Sequence, residues 1–353
     1  MLHTKIGKAI NLCVNNGIPF VAFQKPFDSQ IYFFSNPSSL NNNFPYKNNT
    51  RLYINNFSPT DNSNIIYNEL NATETLENCK YIKSSPKIIP WKESTPYSNY
   101  KHNVETIVSL LKKRGGKIVL SKTICGIHNK KNWALLTQEY FKSYPNTFRY
   151  IYYTQATGCW IGASPEILIS KENNKNSIKT MALAGTRSNS LSGQPWDKKN
   201  IDEHSYVTEF IINSLISLGI TPKIYPAESL NFGDLEHLCT RIEAPILNNI
   251  HPHKIATALS PTPALSGYPQ NNALTDLALL ESHPRYCYGG FIGLELQNEY
   301  IAHVNLRCAH FNSNSFCIYS GGGLTVDSNV DEEWIETEQK IKTLKLLFSS
   351  NDN

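Results

Sequence analysis

The chain has 353 residues, of which 40% are hydrophobic and 11% aromatic, enough for a large buried core. The formal net charge of +4, the lack of a basic run and the absence of an aromatic RNA-binding signature exclude nucleic acid as the expected partner. The polar N-terminus does not read as a signal peptide, no run reaches transmembrane length, and eight singly placed cysteines without a Cys-x-x-Cys pair argue against zinc; together they predict a reduced, cytoplasmic protein with no membrane partner.

Residues 4–14 read as a short helix, and Phe20–Phe23 and Tyr32–Ser35 as strands. From Asn36 to about Pro90 the chain is rich in Asn, Ser and Pro and reads as peripheral sheet and loop without evident chemistry. The Asn-Asn-Thr at 48–50 fits a glycosylation pattern, which means little in a cytoplasmic protein. Tyr100–Lys113 has helical apolar spacing and is ended by Gly115 and Gly116. The strand Lys117–Lys122 follows. Lys117 shares a face with Val119 and Ser121, and on that pattern alone it is a solvated edge residue.

Phe148–Gln155 and Cys159–Gly162 read as a hairpin turning through 156–158. Ser164-Pro165-Glu166 precedes the strand Ile167–Ser170. Among apolar neighbours, Glu166 is either a turn residue or a carboxyl with a raised pKa, suited to general acid work. Ile178–Leu183 is a strand that runs into Ala184-Gly185-Thr186-Arg187.

The helix Lys199–Leu218 places Val207, Phe210, Ile211, Ser214 and Leu218 on one face with Glu203. That spacing puts Glu203 on the buried stripe itself, where a carboxylate needs a partner or a metal. The competing reading is a first-turn acid favoured by the helix dipole. A loop punctuated by Pro and Gly, 259–269, separates helices at 252–259 and 272–281. Tyr286–Leu296 and Tyr300–Phe311 read as an antiparallel pair with Tyr288 and Arg307 inside it. An Arg there suits two-point binding of a carboxylate.

The stretch from Ile318 to Lys340 reads as an apolar strand, a glycine loop, a polar turn and an acidic helix. On that helix Glu333, Glu336 and Lys340 share a face beside the apolar stripe of Trp334, Ile341, Leu344 and Phe348. Carboxylates at the edge of a buried face next to glycines suggest a small-molecule site with a cation; a solvated acidic flank is the plainer alternative. A two-carboxylate glycoside hydrolase would also use paired acids, but it leaves the glycines, Arg307 and Lys117 without a role.

Taken together, KIVLSK, GASPE, ALAGTR, Glu203-His204, LEHLCT, PTPALSGYP, RYCYGG, the segment bearing Arg307, SGGG and EEWIETEQK resemble the chorismate-utilising enzymes, in order from Lys117 to Lys340. The resemblance implies a single α+β domain over 1–353, with a variable part at 1–95 and a motif-bearing core at 96–348. Its fold would stack two mostly antiparallel sheets flanked by helices, with the active site between them. Within the family the pattern is most similar to isochorismate synthase. Lys117 stands where isochorismate and salicylate synthases have a water-activating lysine, and Ala184 where aminodeoxychorismate synthases have a lysine that forms an adduct. Ala264 stands near a position where salicylate synthases typically have Thr.

By the same resemblance Lys117 is the base and Glu166 the acid. A lysine near its reference pKa of about 10.4 would be charged, so the role calls for burial or a nearby cation to lower it. Mg²⁺ is implied on the ring carboxylate of chorismate, held by Glu203 and Glu336 with Glu333 behind them. Lys340 offsets the carboxylate excess. Arg307, Tyr288 and the backbone N–H groups of Gly321, Gly322 and Gly323 are implied to hold the enolpyruvyl carboxylate. Thr186 and His237 match pocket positions, although a hydrogen-bonded core histidine explains His237 equally well. Asn200 stands where relatives often have an acid, which removes a charge near the metal. Ser260 stands where a His is often seen, at a variable position. A monomer is implied, and isochorismate would feed menaquinone or a catechol siderophore, with menaquinone the expected use. Salicylate synthase and a non-catalytic chorismate-binding subunit are the alternatives.

Overall fold

Side-chain caps and a glycine fix the ends of several helices. The structure, a computed structural model, describes residues 5–37, 50–58, 63–66, 70–82, 93–232, 235–246 and 250–349. Much of 36–90 therefore lies outside the described residues, including Asn48 and Asn49 of the glycosylation pattern. The first elements are α1 (Lys5–Asn16), β1 (Phe20–Gln24), β2 (Tyr32–Ser35), β3 (Arg51–Asn55), β4 (Ser63–Ile66), α2 (Ala72–Asn78) and α3 (Tyr97–Arg114). Next come β5 (Lys117–Ile127), α4 (Trp133–Ser143), β6 (Phe148–Thr154), β7 (Gly158–Ser164), β8 (Ile167–Glu172), β9 (Ser177–Ser188) and α5 (Lys198–Ser217). They are followed by β10 (Lys223–Ile224), β11 (Glu228–Phe232), β12 (Leu235–Pro245), α6 (Pro252–Ala258), β13 (Gly267–Tyr268) and α7 (Gln270–Leu280). The chain ends with β14 (Phe291–Leu296), β15 (Glu299–Val304), β16 (Cys308–Phe311), β17 (Ser315–Leu324) and α8 (Val330–Ser349).

Asp197 opens α5 by accepting from the Asn200 N–H, and Asn329 opens α8 by accepting from Asp331 and Glu332. Gly115, with φ of +69°, ends α3, a conformation that costs glycine little.

Among the described residues the strands form two antiparallel sheets. One is 8-stranded, in the order β13-β5-β17-β16-β7-β6-β1-β2; the other is 9-stranded, with β10-β12-β9-β8-β15-β14-β3-β4 in sequence and β11 added on β12. Trp160, Tyr150 and Tyr152 of the first sheet and Ile169, Ala182 and Phe291 of the second fill the core between them, together with Val207, Ile211 and Leu215 of α5. Helices α1, α4 and α8 cover the outer face of the first sheet through Ile10, Trp133 and Phe348, while α3 and α7 pack on β5. This is the α+β, two-sheet architecture expected from the sequence. No helix among the described residues is long and apolar enough to cross a membrane, and the eight cysteines form no disulfide.

The chain crosses between the sheets several times, and two of these crossings, β7 to β8 and β15 to β16, form corners. The two corners lie side by side. Val304 N–H donates to the Glu166 carbonyl at 3.2 Å, and Ala163 N–H to the Arg307 carbonyl at 3.3 Å. The long strand read over Tyr300–Phe311 is therefore two strands in different sheets, and Arg307 sits at the corner with φ of +47°. Likewise Tyr286 and Tyr288 precede β14 in a turn, not within the strand.

Gly290 faces β3 so closely that a Cβ would lie 1.8 Å from the Asn55 carbonyl oxygen. Gly290→Ala is expected to destabilise the fold by about 3 kcal/mol or more, because backbone must move. Urea unfolding checks this; a loss under about 1 kcal/mol would contradict the β3–β14 pairing beside it.

Candidate active site

A cavity of about 90 Å³ opens between the two sheets at these corners. Its walls bring together Glu166, Thr186, Glu203, His237, Ala264, Tyr288, Arg307, Gly321, Gly323 and Lys340, all singled out from the sequence. Lys117 lies behind this lining, and Gly322, Glu333 and Glu336 stand outside it.

Lys117 opens β5, yet it is 0% exposed, so the solvated-edge reading is overturned. β13 pairs with β5 at Lys117, and Glu203 of α5 meets its side chain beside Gly323, which strand alternation could not show. Its Nζ donates to Glu203 Oε1 at 2.7 Å. The sequence reading called for burial or a nearby cation; the burial is present, and the neighbour is an anion. Burial by itself would raise the Glu203 carboxyl, but Lys117, Lys199 and Lys340 outweigh it and hold the group below the ordinary range. The buried stripe of α5 runs through Asn200, His204, Val207, Ile211 and Leu215. Glu203 flanks it, half-buried, and does not lie on it.

Glu166 is 2% exposed at its corner. Burial pushes its carboxyl up to about 8, against the opposing influence of Lys117 and of the Thr262 hydroxyl, which donates to Oε1 at 3.4 Å. At neutral pH this carboxyl carries a proton. Nearby, burial holds His237 well below the usual imidazole range, helped by Arg307 and Lys340, so its ring is neutral. It bonds Thr186 Oγ1 through Nδ1 at 3.1 Å and faces Arg307 Nη2 through Nε2 at 3.4 Å. Arg307 has no ion-pair partner among the described residues, and its left-handed backbone stores roughly 1–3 kcal/mol of strain.

The glycines are not a loop. They lie inside β17, paired with Ser121, Leu120 and Val119 of β5. Lys340 Nζ donates to the Gly321 carbonyl at 3.0 Å, so the Gly321 N–H, on the same side of the strand, also faces away from β5. Gly323 shares that orientation. Gly321 and Gly323 line the cavity. A Cβ at Gly322 would instead meet Glu333 Oε2 at 2.8 Å, so Gly322 serves the other face.

Three carboxylates and three ammonium groups meet here. Lys117 pairs with Glu203, Lys199 with Glu333 and Lys340 with Glu336, each at 2.7 Å. Glu333 lies on the buried line of α8 and not at its edge, and burial raises its carboxyl, with Glu336 adding to the effect. Its Oε1 takes Lys199 and Ser328, while the buried Oε2 has no partner. Asn200 accepts from Thr186 N–H at 2.9 Å and donates to Asp197, so it ties α5 to β9 through both ends of its amide. An acid could not make both contacts. Sequence reading missed Lys199 and Thr262. Lys199 stands four residues before Glu203 on the same helix, and Thr262 lies within the quoted PTPALSGYP.

The profile of the family described as chorismate binding enzyme matches residues 44–348. The chain belongs to this family. It is 27% identical over 310 residues to isochorismate synthase MenF of Haemophilus influenzae, covering 80% of this chain and 70% of that protein. It is 29% identical over 213 residues to isochorismate synthase EntC of Escherichia coli K12, covering 54% of this chain and 51% of that protein. Among solved structures, the menaquinone-specific isochorismate synthase MenF of Escherichia coli shares the fold with a TM-score of 0.76 at 19% identity, over 97% of this chain and 91% of that one. The putative 2,3-dihydroxybenzoate-specific synthase DhbC of Bacillus anthracis gives 0.75 at 20%, over 97% and 99%. Anthranilate synthase component I of Streptococcus pneumoniae gives 0.67 at 16%, over 92% and 89%.

In this family member a Cβ at Gly323 would lie 2.5 Å from Glu203 Oε1 and 2.7 Å from Lys117 Cε. Both obstacles are side-chain ends that can yield. Gly323→Ala is therefore expected to fold, with a stability loss of about 1–3 kcal/mol, and to weaken chorismate binding at least about tenfold by spreading the Lys117–Glu203 pair. Calorimetric titration with chorismate checks this, and unchanged affinity would contradict it.

Proposed function

We propose that the chain is an isochorismate synthase. It would add water at C2 of chorismate, expel the C4 hydroxyl and shift the double bonds between. The observation that carries this reading is Glu166, a carboxyl pushed up to about 8 by burial in a cavity backed by a buried lysine. Expelling hydroxide needs a proton donor, and a carboxyl protonated at neutral pH is one.

In this account Lys117 takes a proton from the attacking water and Glu166 gives one to the departing hydroxyl. As an ammonium Lys117 cannot accept a proton, so it must first pass its own to Glu203 or to solvent and act as the neutral amine. Arg307, with Tyr288 and the outward N–H groups of Gly321 and Gly323, would hold the enolpyruvyl carboxylate. Thr186 and neutral His237 would face the ring, with Ala264 and Lys340 in the surrounding wall.

Chorismate brings two carboxylates. The three lysine–glutamate pairs balance one another, so Arg307 is the cation left over to meet one of them. The second needs a cation from outside. The donor set fits Mg²⁺: Glu203 and Glu336 would hold it, with the unpartnered Glu333 Oε2 behind them. No cluster of three or more His, Cys, Asp or Glu suited to a metal is present among the described residues, but magnesium is commonly held by one or two carboxylates plus substrate and water. When bound, the ion would neutralise the ring carboxylate. The chain would act as a monomer, and its product would supply menaquinone synthesis.

Incubation with chorismate and Mg²⁺, followed by chromatography, is expected to give isochorismate. Salicylate with pyruvate, or no turnover, would overturn the reading. EDTA should abolish turnover and Mg²⁺ restore it. Glu166→Gln and Lys117→Ala should each lose a factor of roughly 10²–10⁴. Because Glu166 must hold its proton, the rate should fall as pH rises through about 8.

A further inference from the structure

Arg307 reaches the cavity from a strained corner, so something must hold that corner. The Arg307 carbonyl accepts from two donors: the Ala163 N–H and the hydroxyl of Tyr140. Tyr140 is on α4, is 0% exposed, and spends its hydroxyl on this one backbone oxygen. One turn later, at the end of α4, the Tyr144 ring lies under the guanidinium, with its centroid 5.7 Å from Cζ. The two tyrosine rings pack edge to face at 5.3 Å. Tyr144 also donates to Thr343 Oγ1 at 2.9 Å. Thr343 lies one turn beyond Lys340 on α8, the helix that carries Glu333 and Glu336. A single helix on the outer face of the first sheet thus grips the backbone and the side-chain plane of Arg307, and is bonded to the acidic helix.

We propose that Tyr140 and Tyr144 are positioning residues for the carboxylate site: Tyr140 fixes the left-handed turn at Arg307, and Tyr144 fixes the plane of its guanidinium. This rests on the reading of Arg307 as the group that binds a substrate carboxylate. Neither tyrosine lines the cavity, so neither touches a bound substrate directly; the Tyr144→Phe variant separates the Arg307 contact from the Thr343 bond. Loosening the corner would let the guanidinium rotate away from a two-point fork, which is demanding in orientation.

The test is chorismate affinity, measured calorimetrically in a Glu166→Gln parent so that turnover does not interfere. Tyr140→Phe is expected to weaken binding about tenfold. Tyr144→Leu should do the same, and Tyr144→Phe, which keeps the ring but loses the Thr343 contact, should recover most of the affinity. Tyr300→Phe is the control, since its hydroxyl meets His253 near the start of β15, at the far end of that strand from the corner. It should bind like the parent. In the otherwise wild-type enzyme, Tyr140→Phe should raise KM about tenfold and lower kcat by less than about threefold. If Tyr140→Phe and Tyr144→Leu bind chorismate within twofold of the parent, or if Tyr144→Phe is as weak as Tyr144→Leu, the assignment is overturned. If the parent does not bind chorismate at all, the assignment also falls. A wild-type chain that binds chorismate without making isochorismate would instead overturn the proposed function and leave the affinity comparison to decide the positioning claim.

Discussion

The buried pair of Lys117 and Glu203 is the constraint on which the surrounding structure depends. An ammonium group removed from water costs several kcal/mol, and only a well-placed anion offsets it. The anion comes from α5, a helix that must therefore end its N-terminal turn against β5. Asn200 holds it there by tying the helix to Thr186 on β9. The space for both side chains comes from Gly323, where any Cβ would intrude. Removing either partner alone would leave a buried charge uncompensated, which costs more than the intact pair gains.

The second organising feature is the double corner between the sheets. Two antiparallel segments change sheets next to each other, and each leaves one functional side chain at the bend. Glu166 is turned into the protein, where burial keeps its proton on. Arg307 is turned toward the cavity, at the cost of backbone strain. The corners place an acid and a cation in one cavity although 141 positions of sequence separate Glu166 from Arg307 (307 − 166 = 141). Beside them the lysine–glutamate pairs of β5, α5 and α8 form a charge-balanced cluster.

Most elements were legible in the sequence, because amphipathic helices such as α3 carry their own period and strands such as β1 are short apolar runs. The roles of Glu166 and Arg307 came from their odd surroundings and from family resemblance, and both residues do meet at the cavity. What stayed hidden was tertiary. Alternation along β5 cannot show that β13 pairs beside Lys117 or that Glu203 of α5 meets its side chain. The strand-like run from Tyr300 to Phe311 cannot show a chain leaving one sheet for another. The glycines suggested a loop because a strand interior seldom tolerates three of them. Here they remain in the strand because side chains from α5, α8 and the Tyr288 turn occupy the space. On α8, about 100° separates one residue from the next, so a modest rotation decides that Glu333 and not Glu336 is buried. Lys199 and Thr262 carried no pattern of their own and became visible only through the carboxylates they touch.

The central claim is that Glu166 holds a proton at neutral pH beside a buried lysine. Infrared difference spectroscopy between the wild-type protein and Glu166→Gln measures this directly through the carbonyl band of a protonated carboxyl. The band should be present at pH 7 and disappear with a midpoint near 8. A carboxyl already ionised at pH 6 would contradict the account.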